Sequence, residues 1–127
     1  MKQRIGENLL ATRSASSIYI PDRGDIVWLS FDPQAGHEQN KRRPAIVISP
    51  MIYNAQKFSL ALVCPITSAI KKYPFEVLLP EGMETQGAIL ADQIKSVDWK
   101  AREAVFIEKV PIPVVIKVCN KAKTLLA

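Results

Sequence analysis

One histidine and two cysteines are all the imidazole and thiolate ligands that this 127-residue chain offers a zinc ion. They are scattered as His37, Cys64 and Cys119, which cannot supply a closed four-ligand zinc site. The cysteines sit in apolar stretches, LALVCPI and VVIKVCNKA, without CxxC spacing. They read as small hydrophobes in a reducing compartment, with a disulfide between them as the alternative. No apolar run reaches the roughly 18 residues that a bilayer crossing needs. The opening stretch MKQRIGENLLATRSASS places Arg4 and Glu7 where a secretory signal would need continuous apolar sequence. The expected location is therefore the cytoplasm. Residues 1–17 read as a flexible arm, or as the product of a start codon set too far upstream, and 18–127 as one domain. Internal repeats and low-complexity segments are both missing.

What is present is apolar and basic. A hydrophobic share of 48% is enough for one packed core. Seventeen Lys and Arg against twelve Asp and Glu leave a net charge of +5, which favours a polyanionic partner. From Gly24 onward, short β-favouring runs alternate with turn signals: 24–31, 44–49, 59–66, 75–80, 87–93, 94–99 and 104–110. PAIVIS and SLALVCPI are continuous apolar runs, as expected for strands covered on both faces. Met51 to Lys57 suggests one short helical turn with Asn54 exposed. After Pro111 and Pro113 the period changes. Val114, Val115, Val118, Cys119, Ala122, Leu125 and Leu126 fall on one helical face, while Lys117, Lys121 and Lys123 lie mostly off it. The expected fold is mainly β, a small barrel-like arrangement with a C-terminal helix.

The connection from Asp32 to Pro44 is longer than the roughly two to five residues usual for a hairpin. It carries Gly36, His37, Glu38, Gln39, Asn40, Lys41, Arg42 and Arg43 in one run. Composition alone fits a solvated surface loop. The pattern GD-x-V-W-x-x-FDP-x-x-G-x-EQ-x-x-x-RPA-x-V-x-S, however, resembles the opening signature of the MazF/PemK toxin family. The resemblance continues through CPITS, YPFEV and ADQIKSVDW, and spans roughly Tyr19 to Arg102.

That resemblance implies a dimeric, SH3-like barrel of the CcdB/PemK-like plasmid-maintenance toxin fold. It also implies a metal-independent, cofactor-free endoribonuclease (an mRNA interferase) that cuts single-stranded RNA at particular sequences. The ribose 2′-hydroxyl would attack the adjacent phosphate, leaving a 2′,3′-cyclic phosphate and a 5′-hydroxyl. The implied partners are a second copy of the chain and an antitoxin whose acidic C-terminal tail blocks the site. DNA would be reached only through the antitoxin complex, and no membrane is involved. The family's chemical residues map onto Glu38, Arg43 and Thr67. Arg42 is an extra cation beside the family arginine. Family members commonly carry a small polar residue or a histidine where His37 stands, so His37 is expected to contact substrate rather than catalyse.

The chemistry asks for a group to take the 2′-proton, for charge stabilisation on the phosphorane and for a proton to the leaving oxygen. Arg43 suits the second task, because a guanidinium can hold two phosphate oxygens at once. Thr67 offers a hydroxyl and a backbone N–H at a strand end. Glu38 can accept the 2′-proton or hold Arg43 by an ion pair. Around them, Lys41, Arg42, Lys71, Lys72 and Ser68 are expected to meet the backbone of the RNA. Phe31 and Tyr73 offer stacking faces, whereas Trp28, mid-strand, reads as core. Gln39, Asn54 and Gln93 carry amides able to read base edges, a strand-end turn being the alternative for Gln93. Three other functions remain open: a non-catalytic toxin of this fold acting on a protein such as DNA gyrase, a plain RNA-binding module, and an autoregulator acting only with its antitoxin.

Overall fold

Two continuous apolar runs organise the molecule. In the computed structural model, which describes residues 18–30 and 42–126, β2 (Arg42–Val47) and β3 (Leu60–Thr67) lie side by side. They are paired antiparallel, with Ala45 opposite Pro65 and Val47 opposite Val63. Successive side chains on a strand point to opposite faces. The even-numbered residues Ile46, Cys64 and Ile66 accordingly enter one core cluster, and the odd-numbered Ala45, Val47, Ala61 and Val63 enter another. The sheet is thus apolar on both faces at its centre, as continuous runs require.

The remaining strands are β1 (Asp25–Ser30), β4 (Glu76–Leu78), β5 (Ala88–Leu90), β6 (Lys95–Asp98) and β7 (Val105–Lys109). The sheet runs β4-β5-β3-β2-β1-β7, with β6 also paired to β3. Among the described residues the path therefore has ends at β4 and β7, a barrel-like sheet rather than a hydrogen-bonded ring. Every expected strand is present, but the boundaries differ. β2 begins at Arg42 rather than Pro44, because Arg42 and Arg43 pair with Ser30 and Leu29 of β1. β4 and β5 shrink to three residues each, the length over which they pair with one another.

The two clusters have different lids. One is closed by α2 (Ile112–Lys123), whose Val115, Val118 and Ala122 are buried, with Val114 and Cys119 partly so. Pro111 caps the helix and Pro113 lies in its first turn, where a missing N–H costs nothing. Leu125 and Leu126 do not extend the buried stripe as the period predicts. The helix stops at Lys123, and both leucines are exposed. The other cluster is closed by Val97 and Trp99, with Tyr19, Ile20 and Ala104 at its margin. Both cysteines are free thiols. Burial, then the neighbouring Cys119 and Asp92, push the Cys64 thiol up to about 12, so it behaves as an inert hydrophobe. No helix among the described residues is long and apolar enough to cross a membrane.

Asn54 departs most from expectation. It ends the short helix α1 (Met51–Asn54) and is fully buried rather than exposed. Its amide nitrogen donates to the carbonyl oxygens of Pro21 (2.8 Å) and Ser49 (3.0 Å), and its side-chain oxygen accepts from the Ser49 hydroxyl. Its backbone carbonyl accepts from the Trp99 indole at 2.8 Å. An amide so committed cannot read a base edge; it ties the segment before β1 to the end of β2. Asn54→Ala would leave several buried polar groups without partners, at about 1–3 kcal/mol each. We expect urea unfolding to show a loss of about 2–4 kcal/mol. A loss under about 0.5 kcal/mol, the range of an ordinary surface change, would remove this structural role.

Candidate functional site

Where β2 begins and β3 ends, the sheet leaves its core and becomes polar. Ala45 faces Pro65, the last pair of the β2–β3 ladder; two residues beyond it along each strand stand Arg43 and Thr67, which by the period of two belong to the same side as Ala45 and Pro65. Arg43 is exposed and Thr67 half-buried. Arg42, one residue earlier, belongs to the opposite face. Its guanidinium lies 6.0 Å from the ring centroid of Trp28, a cation–π contact. The two adjacent arginines therefore serve different surfaces.

Trp28 is the single exposed residue of β1, 38% accessible, flanked across the strands by Pro44 and Val105. The expectation of a core tryptophan fails because the cluster on its face ends at Ile26. This exposed aromatic with an arginine over it was hidden in the sequence by the buried residues on either side.

Thr67 is held at several atoms. Its hydroxyl accepts from the Ala69 N–H at 3.0 Å, a local turn that orients Oγ1. It pairs with Ala88 of β5. Its carbonyl lies so close to Gly87 that a Cβ there would stand 2.2 Å from the oxygen. Gly87 also has a φ of 121°, which only glycine adopts at ease. The turn residue expected at this position is thus a backbone contact with the β3 end.

The segment after Thr67 folds back over a cleft of about 150 Å³ lined by Thr67, Ala69, Lys71, Tyr73, Glu76, Leu90 and Gln93. Ser68, Lys71 and Lys72 are exposed on this segment. The Glu76 carboxylate accepts the backbone N–H groups of Lys71 (2.9 and 3.2 Å) and Lys72 (2.7 Å). The Tyr73 hydroxyl donates to Asp92 at 2.6 Å. That bond, with smaller contributions from burial and the Asp92 and Glu76 charges, pushes the phenol up to about 12 despite an opposing bond from Gln93. The Gln93 N–H closes a turn on the Leu90 carbonyl, leaving its exposed amide at the rim. A second cleft of about 380 Å³ adjoins the first across Tyr73 and Glu76, reaching Lys72, Leu78 and Lys121.

The structure thus brings Thr67, Lys71, Tyr73 and Gln93 to one cleft, with Ser68 and Lys72 on the same segment; it leaves Arg43 exposed near the start of β2, places Arg42 on the other face and withdraws Asn54 into the core. Phe31, His37, Glu38, Gln39 and Lys41 lie outside the described residues, as does the 1–17 arm. Among the described residues, no group of three His, Cys, Asp or Glu is placed to hold a metal ion. Sequence reasoning missed Glu76, and took Gly87 for a turn marker without its contact to Thr67; both shape the site. The only signals were a carboxylate four residues after a lysine pair and a glycine before a strand.

A mainly β, helix-lidded fold with a basic rim over a polar cleft places the chain among the CcdB/PemK-like toxin folds. Residues 22–126 match the family described as PemK-like, MazF-like toxin of type II toxin-antitoxin system, and the chain belongs to that family. It is 51% identical over 88 residues to the endoribonuclease toxin MazF of Escherichia coli K12, covering 69% of this chain and 78% of that protein. It is 35% identical over 109 residues to the Escherichia coli endoribonuclease PemK, covering 83% and 81%. Among solved structures, MazF from Deinococcus radiodurans (Form-I) superposes with a TM-score of 0.75 at 48% identity, covering 85% of this chain and 97% of that one. A MazE–MazF structure from the same organism (Form-II) gives 0.77 at 41% identity, covering 86% and 97%.

Two measurements test the local geometry. Gly87→Ala combines backbone strain of about 1–3 kcal/mol with overpacking of similar size. Denaturant unfolding should show a loss of at least about 2 kcal/mol; an unchanged midpoint would mean the Thr67 carbonyl is not pressed against Gly87. For Tyr73, the raised value means the protonated phenol is favoured in the fold. Its stabilising bond is complete below the ordinary tyrosine value near 10 and is lost as pH rises through about 12. A carbon-13 NMR titration of the ring should show Tyr73 ionising well above the ordinary tyrosine value near 10, and Asp92→Asn should bring it down. Ionisation of Tyr73 at the ordinary tyrosine value would contradict the bond.

Proposed function

We propose that this chain is a toxin that cleaves single-stranded RNA endonucleolytically, without a metal ion, through attack of the 2′-hydroxyl on the neighbouring phosphate. The observation that carries this reading is the cleft shared by Thr67 and Lys71, with Lys72 at the cleft adjoining it and Arg43 at the neighbouring end of β2, the strand paired with β3. A guanidinium can offset the charge building on the phosphorane. The oriented Thr67 hydroxyl can bind a phosphate oxygen, and the exposed ammonium groups can hold flanking phosphates. Glu38 is the carboxylate assigned to the 2′-proton, or to holding Arg43. The identity to curated endoribonucleases supports the same reaction.

Recognition would use Gln93 and Gln39 at base edges and Tyr73 and Phe31 as stacking faces, with His37, Lys41 and Ser68 as further contacts; Arg42, turned to the opposite face over Trp28, is not among them. The active form would be a cytoplasmic homodimer, held in check by an antitoxin with an acidic tail. The solved MazE–MazF complexes support such a partner.

The test is cleavage of a long single-stranded RNA by the purified protein in EDTA, with sequencing of the ends. Fragments ending in 2′,3′-cyclic phosphate are expected. Arg43→Ala and Thr67→Ala should each lower kcat by about 100- to 1,000-fold, the usual cost of one oxyanion donor, with circular dichroism unchanged. Cleavage lost in EDTA and restored by Mg²⁺ would overturn the metal-free mechanism. Intact RNA together with a stalled topoisomerase would favour the non-catalytic alternative.

A further inference from the structure

Both oxygens of the Glu76 carboxylate are spent on the backbone of the segment that carries the two lysines of the cleft. Three hydrogen bonds of 2.7–3.2 Å reach the N–H groups of Lys71 and Lys72. Lys72 has a φ of 61°, the left-handed region that a lysine rarely adopts. Successive N–H groups in such a bend form a concavity that suits an anion, and here the chain fills it with its own carboxylate. Glu76 is itself fixed. It opens β4 opposite Leu90, and its N–H closes a turn on the Tyr73 carbonyl at 3.0 Å. The backbone of Lys71 and Lys72 is therefore tied to the sheet, while both side chains remain exposed.

We propose that Glu76 is a positioning residue for the RNA strand, acting through the backbone of Lys71 and Lys72 to hold their ammonium groups at a set distance from Thr67. This rests on the RNA-cleaving reading above. Glu76 touches no reacting atom. It keeps a strained, like-charged lysine pair from splaying, so that phosphates beside the scissile bond meet two fixed cations.

The proposal has a sign that plain electrostatics reverses. Removing a negative charge beside two lysines should strengthen the hold on a polyanion. If Glu76 positions the lysines, removing it should weaken that hold. Two further readouts separate positioning from a structural role: the split between KM and kcat, and the salt dependence of binding.

The experiment measures binding of a fully 2′-O-methylated single-stranded oligonucleotide by fluorescence anisotropy from low to moderate salt, together with cleavage of the matching RNA. Wild type, Glu76→Ala, Glu76→Gln and the Lys71→Ala/Lys72→Ala pair are compared, the pair also within Glu76→Ala. Glu76→Ala should bind about tenfold more weakly, the effect of one mispositioned charge-assisted hydrogen bond. KM should rise in step while kcat stays within about threefold. Its plot of log affinity against log salt should be shallower by about 0.7 for each phosphate that the lysines no longer neutralise. Glu76→Gln, which keeps an acceptor oxygen, should fall between Ala and wild type, and the lysine pair should add little in the Glu76→Ala background. Equal or tighter binding by Glu76→Ala, an unchanged salt slope, or fully additive losses would overturn the proposal. If Glu76→Ala does not fold, Glu76→Gln carries the same test, tighter binding than wild type being the overturning result. A wild type that neither binds nor cuts RNA would overturn the function itself and this inference with it, whereas wild-type cutting with unaffected Glu76 variants would overturn this inference alone.

Discussion

Strand β3 is asked to pair on both sides and to end in chemistry, and the rest of the molecule follows from how it does so. Its first half pairs with β6, its middle with β2 and its last two residues with β5. A strand so engaged along its whole length has little freedom to shift, because a slip of one residue would exchange the two apolar faces. Thr67 inherits that rigidity. The contact with Gly87 then fixes how closely β5 approaches the strand end. A hydroxyl placed in this way reaches its working position without any cost of ordering when a ligand arrives.

Charge is distributed with the same economy. The one fully buried carboxylate among the described residues, Asp25, is paired with Lys109 at 2.7 Å and accepts the Tyr19 hydroxyl and the Asp22 N–H. It ties the start of β1 to β7, remote in sequence, and its charge is locally answered. The cations at the other end of β1 and β2 are not answered in this way: Arg42 lies over a tryptophan, and Lys71 and Lys72 meet a carboxylate only through their backbone. Lys71 and Lys72 thus keep exposed ammonium groups just after the β3 end, where a polyanion can use them.

How much of this could be read from the residues depended on the range of the interaction involved. The strands of β2 and β3 and the helix after Pro111 were legible because their patterns are local and strong. Arg43 and Thr67 were legible through short motifs, and the antiparallel pairing of β2 with β3 puts the two strand ends that carry them next to each other. Asn54 was not, because its partners include a proline carbonyl 33 residues away. A lone amide after Tyr53 gives no hint of a buried destination. Trp28 misled for another reason. On β1 the alternation is masked, since both faces are covered at Ile26 and Val27 and only one at Trp28. Gly87 was visible as a turn residue, but its contact with Thr67 requires the β3–β5 pairing to be known.

The placement of Glu76 bears on why a loop can serve a site that needs precision. Loops usually carry function at the expense of order, and ordering them on binding costs roughly 1–2 kcal/mol per residue of backbone. Here the segment from Thr67 to Glu76 is pinned at its start by β5, in its middle by the Glu76 carboxylate and near its end by the Tyr73–Asp92 bond. Each restraint uses a polar group already within the chain, and none occupies the exposed ammonium groups. Such a segment has met its ordering cost during folding, so binding energy from phosphates is left for holding the strand rather than for shaping the loop. The same logic accounts for a carboxylate in a cleft built for anions. Bound to backbone N–H groups, its charge organises the cations around it instead of cancelling them.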